Sequence, residues 1–238
     1  MRSEVPGQSQ PRVIEIAFAY PEKSYSSFGG RAHRPPAEII LVLEDKERRT
    51  RLVATCVAHA CQRKQPSLPR DLDAISSFLD ATDRTCCMQQ LVKMLARRDH
   101  GSAESREKLI AYGFAEDSVD RVLERARELR MIDDGRIART YAERLMQKGW
   151  GRAMVGRKLR ARGFCAEEID RALEMSGSLE DELARASAQL ERRPVPAVRA
   201  FEKLARYLVG RGYALEIARR ATRDRLSRLA EQADSMRG

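Results

Sequence analysis

The sequence predicts a mainly α-helical protein of three tandem three-helix repeats, an elongated curved array preceded by a small N-terminal β-hairpin/helix extension. Three observations carry that reading. A leucine followed after three residues by glycine and an aromatic ring occurs as Leu109-x3-Gly113-Phe114, Leu159-x3-Gly163-Phe164 and Leu208-x3-Gly212-Tyr213, at steps of 50 and 49 residues. A period of that length marks a repeat architecture. Seven of the nine prolines precede residue 70 and none lies between 70 and 193, which separates an irregular head from a long helical body. Beyond residue 84, apolar positions such as Leu91, Met94, Leu95, Val119, Val122, Leu123 and Leu129 recur at three- and four-residue spacing, the period of amphipathic helices.

Taken in order, residues 1–36 are rich in Pro, Ser and Gly around one β-like run, Val13 to Tyr20, and read as a poorly ordered tail. Glu38 to Leu43 and Arg48 to Ala54 flank Glu44-Asp45-Lys46-Glu47 as a hairpin. A lone hairpin is marginal in water, so it must pack on helices. Leu68-Pro69-Arg70-Asp71 opens a helix to about Ala81, with Pro69 acceptable in a first turn, and closes the extension at 37–83. Repeat one, 84–132, has helices near 85–98, 102–112 and 116–130, with Ser102 as N-cap and Glu116-Asp117 favourable in a first turn. Repeat two, 133–177, has helices near 134–148, 151–162 and 166–175; Asp133 or Asp134 caps the first, and Gly149-Trp150-Gly151 breaks the chain before the second. Repeat three, 178–238, has helices near 179–192, 197–210 and 214–231, with Pro194-Val195-Pro196 between the first two. Each unit has too little apolar surface to stand alone, so neighbours must share contacts.

The recurring motif has a local physical meaning. A helix that ends in a left-handed glycine places that glycine at C′ and brings the C″ side chain onto C3. Counting back from the glycines puts Leu109 under Phe114, Leu159 under Phe164 and Leu208 under Tyr213. The motif is therefore assigned to folding, and function is sought among its neighbours.

Formal net charge is +10. Residues 1–85 hold 13 Lys+Arg against 11 Asp+Glu, leaving 32 against 24, or +8, on the repeats. A basic surface implies an acidic partner, nucleic acid or an acidic protein groove. No apolar run approaches the ~20 residues of a membrane span, and no basic segment followed by an apolar h-region opens the chain, so a cytoplasmic protein without membrane contact is expected. The five cysteines, Cys56, Cys61, Cys86, Cys87 and Cys165, include no CxxC pair and read as reduced, mostly buried side chains. Cys56, Cys61 and His59 are spaced more loosely than paired zinc ligands, so no metal is expected. His33, His59 and His100 are isolated, with no nucleophile–histidine–acid order and no phosphate-cradling glycine loop. His100 sits in Arg97-Arg98-Asp99-His100-Gly101, which reads as a helix C-terminus with favourable cations. The sequence thus offers no catalytic residue and no cofactor site.

Leu91 to Phe114, the Asp133-Asp134 junction, and Gly149-x-Gly151 followed by Lys158-Leu159-Arg160-Ala161-Arg162-Gly163-Phe164 together resemble the RecX family. Leu208-Val209-Gly210-Arg211-Gly212-Tyr213 resembles that family's third repeat. The resemblance covers about residues 84–232, and 37–81 is similar to the N-terminal extension that some members carry. It implies a bacterial, cytosolic, non-enzymatic regulator of the RecA recombinase. Such a protein lies in the groove of the RecA filament on single-stranded DNA and damps ATP hydrolysis, strand exchange and the coprotease activity behind the SOS response; a monomer is expected. Two positions depart from the family pattern. Ile137 stands where an aromatic is common, and Ile217 follows its Gly-aromatic pair one residue earlier than Val119 and Ile169 follow theirs, which implies a rotated last helix.

The binding candidates are cations on the second helix of each repeat: Arg106 and Lys108, then Arg157, Lys158, Arg160 and Arg162, then Arg206 and Arg211. Arg97, Arg98 and Lys148 lie beside the first two sets. The competing reading is helix stabilisation, since a cation near a helix C-terminus contributes ~0.3–1 kcal/mol. Trp150, between two glycines and near Lys148 and Arg152, fits packing between repeats better than stacking on a base. A helix-turn-helix binder of duplex DNA is the main rival, but it would want base-reading Asn and Gln where these helices offer Arg and Lys. A three-helix module for small helical proteins, of the ubiquitin-binding kind, is disfavoured by the charge.

Overall fold

The computed structural model describes residues 11–22 and 35–235, and the chain divides into two compact units, Met1–Ile132 and Asp133–Gly238. The first unit opens with an antiparallel sheet of β1 (Arg12–Ala19), β2 (Ala37–Leu43), β3 (Arg48–Val53) and β4 (Arg70–Asp71), in the order β3-β2-β1-β4. Alternation along β2 sends Ala37, Ile39, Leu41 and Leu43 into the core, as the period of two requires. The expectation of a poorly ordered tail over 1–36 fails at residues 12–19. Strand β1 pairs with β2 from Val13 to Ala19 and buries Val13 and Ile16. This strand is the β-like run Val13 to Tyr20, with a register shift between Val13 and Glu15 near its start. The rest of that tail, 1–10 and 23–34, lies outside the described residues.

Helix α1 (Thr55–Arg63) follows β3 directly and was not anticipated. It has no side-chain N-cap, and its short run TCVAHACQR is rich in residues of weak helix propensity; packing of Val57, Ala58 and Cys61 into the core decides the outcome. Helix α2 (Leu72–Leu95) merges the two helices expected at 68–81 and 85–98 into one of 24 residues. Nothing between Leu72 and Leu95 breaks it, for that stretch holds neither Gly nor Pro. The boundary placed at 83/84 therefore falls inside a continuous helix. Asp83, at that point, is buried and accepts the Ala115 amide at 3.4 Å; burial pushes its carboxyl pKa up, against hydrogen bonds from Ser118 and Ala115.

Helices α3 (Ser102–Ala111) and α4 (Glu116–Glu128) complete the unit. Gly101, not Ser102, is the N-cap of α3. The Ser102 hydroxyl is buried and accepts the Arg127 Nε–H at 3.0 Å, so it ties α3 to α4. Val13, Ile39, Val57, Leu91, Leu109 and Val119 share one core, which is why the sheet and the first three-helix repeat form a single body.

The second unit holds α5 (Asp134–Gln147), α6 (Arg152–Arg160), α7 (Ala166–Glu174), α8 (Leu179–Glu191), α9 (Ala200–Gly210) and α10 (Leu215–Ser235). Asp133 caps α5 by accepting the Arg136 amide at 2.8 Å. Ser178 and Asp181 form a reciprocal capping box on α8. Two clusters form its interior, one around Val155, Leu159 and Ile169 and the other around Leu190, Leu204 and Leu208.

All three Leu-x3-Gly-aromatic turns adopt the expected cap. The amides of Phe114, Phe164 and Tyr213 donate to the carbonyls of Leu109, Leu159 and Leu208 at 3.3, 3.4 and 3.1 Å. Gly113, Gly163 and Gly212 take φ of 92°, 84° and 90°, where a side chain is strained. A fourth copy, Leu145-x3-Gly149-Trp150, closes α5 in the same way, with Trp150 N–H on the Leu145 carbonyl at 3.2 Å and Gly149 at φ 78°. It stands out of the 50-residue period, at the end of a first helix.

Within the second unit, the third repeat docks on the second through backbone. Gly151 N–H donates to the Arg211 carbonyl at 3.0 Å and Ala153 N–H to that of Gly212 at 3.1 Å. A Cβ on Gly151 would lie 2.3 Å from the Gly212 carbonyl carbon, and one on Gly212 would lie 2.5 Å from the Met154 nitrogen. The anticipated rotation of the last helix does not occur. Ala218, six residues past Gly212, is fully buried and donates to the Ala214 carbonyl, as Val119 donates to Ala115 and Ile169 to Cys165. Ala218 thus holds the core register that Ile217 was assigned, and Ile217 lies half-buried beside it.

Candidate functional site

The second unit carries 23 Lys+Arg against 16 Asp+Glu, +7 of the chain's +10. From Lys148 to Arg162 there are six cations and no carboxylate. Helix α6 forms there because Val155, Gly156 and Leu159 supply a buried face, with the cations on its other sides. Arg152 is drawn inward: the buried carboxylate of Glu182 lies 3.5 Å from its Nε and accepts its amide at 3.3 Å, while its guanidinium donates to the Gly177 carbonyl. The other five have no acidic partner among the described residues. Arg157 and Arg160 are exposed and lie three apart, hence on one side of the helix. Lys158 and Arg162, four apart, lean over aromatic rings at 4.8 Å from Trp150 and 4.0 Å from Tyr141. Such contacts hold a cation in place without neutralising it.

Trp150 is half-buried and has a second cation on it, Arg211, 4.4 Å from the ring centroid. Arg211 Nε and its terminal nitrogen donate to the carbonyls of Gly149 and Lys148, each at 2.7 Å. It therefore satisfies the two carbonyls just past α5 across the repeat junction, a structural task its position before Gly212 did not reveal. Arg211 also approaches Tyr207 at 5.7 Å, and Arg193 covers Tyr207 at 4.0 Å. Lys158, Trp150, Arg211, Tyr207 and Arg193 thus alternate cation and ring along one side of the unit. Arg193 and Tyr207 were not anticipated, because they lie 14 residues apart with an irregular Pro194-Val195-Pro196 segment between them. Arg206 and Lys148 are exposed and form no ion pair with a described residue.

In the first unit the predicted cations are mostly engaged. Arg106 pairs with Asp120 at 2.8 Å and Glu116 at 2.9 Å. Lys108 and Arg98 both pair with Glu104, Lys108 at 2.9 Å. His100 is buried, its Nδ1 3.2 Å from Glu104 and 3.4 Å from the Lys108 ammonium. Burial alone would raise the Glu104 pKa, but Arg98, Lys108 and His100 outweigh it and hold it down at about 2. Burial pushes the His100 pKa below its ordinary value. Arg97 alone of this group is exposed and has no ion pair with a described residue. Five candidates without a carboxylate partner among the described residues, Lys148, Arg157, Lys158, Arg160 and Arg162, therefore lie on α6 and its flanks, whereas Arg98, Arg106 and Lys108 are ion-paired. Among the described residues no three His, Cys, Asp or Glu converge as metal ligands, and no helix is long and apolar enough to cross a membrane.

Comparison with known proteins gives this geometry a family. Residues 87–125 match the first three-helix domain of RecX and residues 133–173 match the second. The chain is 29% identical to the regulatory protein RecX of Chlorobaculum tepidum over 161 residues, 66% of this chain and 99% of that protein. With that of Vibrio cholerae it shares 33% over 69 residues, 29% of this chain and 45% of that protein, so the match spans just under half of the relative. Two crystal structures share the fold. A regulatory protein RecX covers 87% of this chain at a TM-score of 0.54, and RecX from Lactobacillus salivarius covers 60% at 0.56, each at 16% identity. Two matched domains in order, a relative matched along almost its whole length and a shared fold all support one family for this chain, RecX.

Proposed function

We propose that this protein is a non-enzymatic, monomeric, cytoplasmic regulator of the RecA recombinase that binds the RecA filament on single-stranded DNA. In the filament groove it damps ATP hydrolysis, strand exchange and the SOS coprotease activity. One observation carries the reading most: a chain similar to RecX presents, on α6 and the turn after it, Arg157, Lys158, Arg160 and Arg162 with no carboxylate among the described residues to neutralise them. Cations held by a scaffold but left uncompensated favour a phosphate-lined, acidic surface, and several modest contacts of this kind add up to salt-sensitive affinity. Arginine and lysine without Asn or Gln beside them recognise backbone and shape rather than base sequence, which suits a partner that coats DNA of any sequence. Lys148 and Arg206 extend the contact surface; Arg211 supports it from behind. The test is the ATPase rate of RecA on single-stranded DNA with the purified chain added in low salt. A falling rate is expected, at amounts well below one chain per RecA if filament growth is blocked, and an unchanged rate at excess contradicts the reading.

A further inference from the structure

The first unit contains a thiol pair that the basic face does not use. Among five free cysteines, Cys61 and Cys87 are buried, whereas Cys56 is exposed in the first turn of α1 and Cys86 is half-buried on α2. The Cys86 Sγ lies 3.9 Å from the Cys56 carbonyl oxygen and its S–H donates to it, which brings the two cysteines together across α1 and α2. The pair sits at a seam. Ala54, just ahead of α1, lies where a Cβ on Gly113 would reach its Cα at 3.4 Å, and Asp83, one turn before Cys86, holds the Ala115 amide.

Two features distinguish these thiols. The Cys86 thiol beside it and the amides of Cys56 and Val57 at the start of α1 favour the Cys56 thiolate, so against burial and the nearby Asp83 the Cys56 pKa is held down to about 7. The neighbouring Cys56 and burial push that of Cys86 up. One sulfur is thus readily ionised and reachable, with a protonated thiol against it.

We propose that Cys56 and Cys86 are a hydroperoxide-responsive dithiol, Cys56 the attacking sulfur and Cys86 the resolving one, whose disulfide pins α1 to α2. The Cys56 thiolate attacks one peroxide oxygen; the O–O bond breaks, the other oxygen leaves as hydroxide and is protonated to water, and Cys56 becomes a sulfenic acid. The Cys86 sulfur then attacks the Cys56 sulfur; the S–O bond breaks, and the departing hydroxide takes the Cys86 proton as a second water. Two thiols lose two electrons and the peroxide gains them. The proposal stands apart from recombinase regulation, since it concerns α1 and α2 rather than α6.

The full chain itself provides the test. Cys165, exposed and the only cysteine beyond residue 87, is an internal control. With iodoacetamide at neutral pH, Cys56 should react about tenfold faster than Cys165. Stoichiometric hydrogen peroxide followed by non-reducing peptide mapping should give a Cys56–Cys86 linked peptide, with thiols falling from five to three and returning on reduction. Cys86→Ser should trap Cys56 as a dimedone adduct, and Cys56→Ser should abolish the linked peptide. Equal reactivity of Cys56 and Cys165, or peroxide products in which Cys56 is joined to another chain or left unlinked, overturns the proposal without requiring either variant to fold.

Discussion

The second helices of the first two repeats share a place in the repeat yet handle charge in opposite ways. At an offset of 50 residues, His100, Glu104 and Lys108 correspond to Trp150, Met154 and Lys158. In the first repeat the carboxylate binds the lysine at 2.9 Å, over a buried imidazole. In the second, methionine offers the lysine nothing, and it settles over the indole. Glu107, Ile110 and Tyr112 likewise correspond to Arg157, Arg160 and Arg162, and Arg106, the anchor for Asp120 and Glu116, to Gly156. One scaffold thus carries a helix whose charges are satisfied internally and another whose charges face outward. Counting basic residues cannot separate the two; their partners do.

The turns widen the contrast and give the largest expected effect. A methyl on Gly212 strains φ and meets the Met154 backbone at 2.5 Å, whereas a methyl on Gly113 strains φ but meets Ala54 at 3.4 Å. Gly212→Ala should cost about 3 kcal/mol or more, from strain plus overpacking, and Gly113→Ala about 1 kcal/mol. Urea unfolding of the two variants checks this, and equal losses would remove the backbone docking of the third repeat from the account. Next in size, reversing Arg157, Lys158, Arg160 and Arg162 to Glu should weaken filament binding by on the order of a hundredfold while helical circular dichroism is retained. Reversing Arg106 and Lys108 should instead lower stability, with binding changed by less than about threefold. Anisotropy on labelled filaments distinguishes them, and a larger binding loss from the first pair would relocate the interface. The smallest effect is in pH. An unfolded chain protonates Glu104 near its ordinary 4.5, the folded one only near 2, so its contribution is full above 4.5 and lost as pH falls through about 2. The stability gap between wild type and Glu104→Gln should therefore close across that window; a constant gap would mean that the His100–Glu104–Lys108 cluster is not what protonation disrupts.

Much of the fold was legible because it is local. Leu-x3-Gly-aromatic sets a cap within six residues, and Asp133 declares its helix through a contact three residues away. What escaped was set by tertiary partners. The β-like run at Val13 was visible, but its place in the sheet is made by pairing with β2 across residues that intervene in sequence, and α1 is made by the core it covers. The continuity of α2 was hidden because the pattern closes the extension's helix near Ala81 and opens the repeats at 84, although no Gly or Pro stands between them. The fourth Leu-x3-Gly-aromatic copy was spelled out in the sequence but stood outside the expected period. For the site, spacing found the cations, yet the carboxylates that disarm Arg106 and the carbonyls that recruit Arg211 lie up to 63 residues away.

The central claim is that the α6 cations meet the anionic filament directly, and the salt dependence of binding tests it most plainly. The slope of log affinity against log salt should fall by about 3 when Arg157, Lys158, Arg160 and Arg162 are all changed to Ala, at roughly 0.7 per phosphate contact on single strands. An unchanged slope would contradict it.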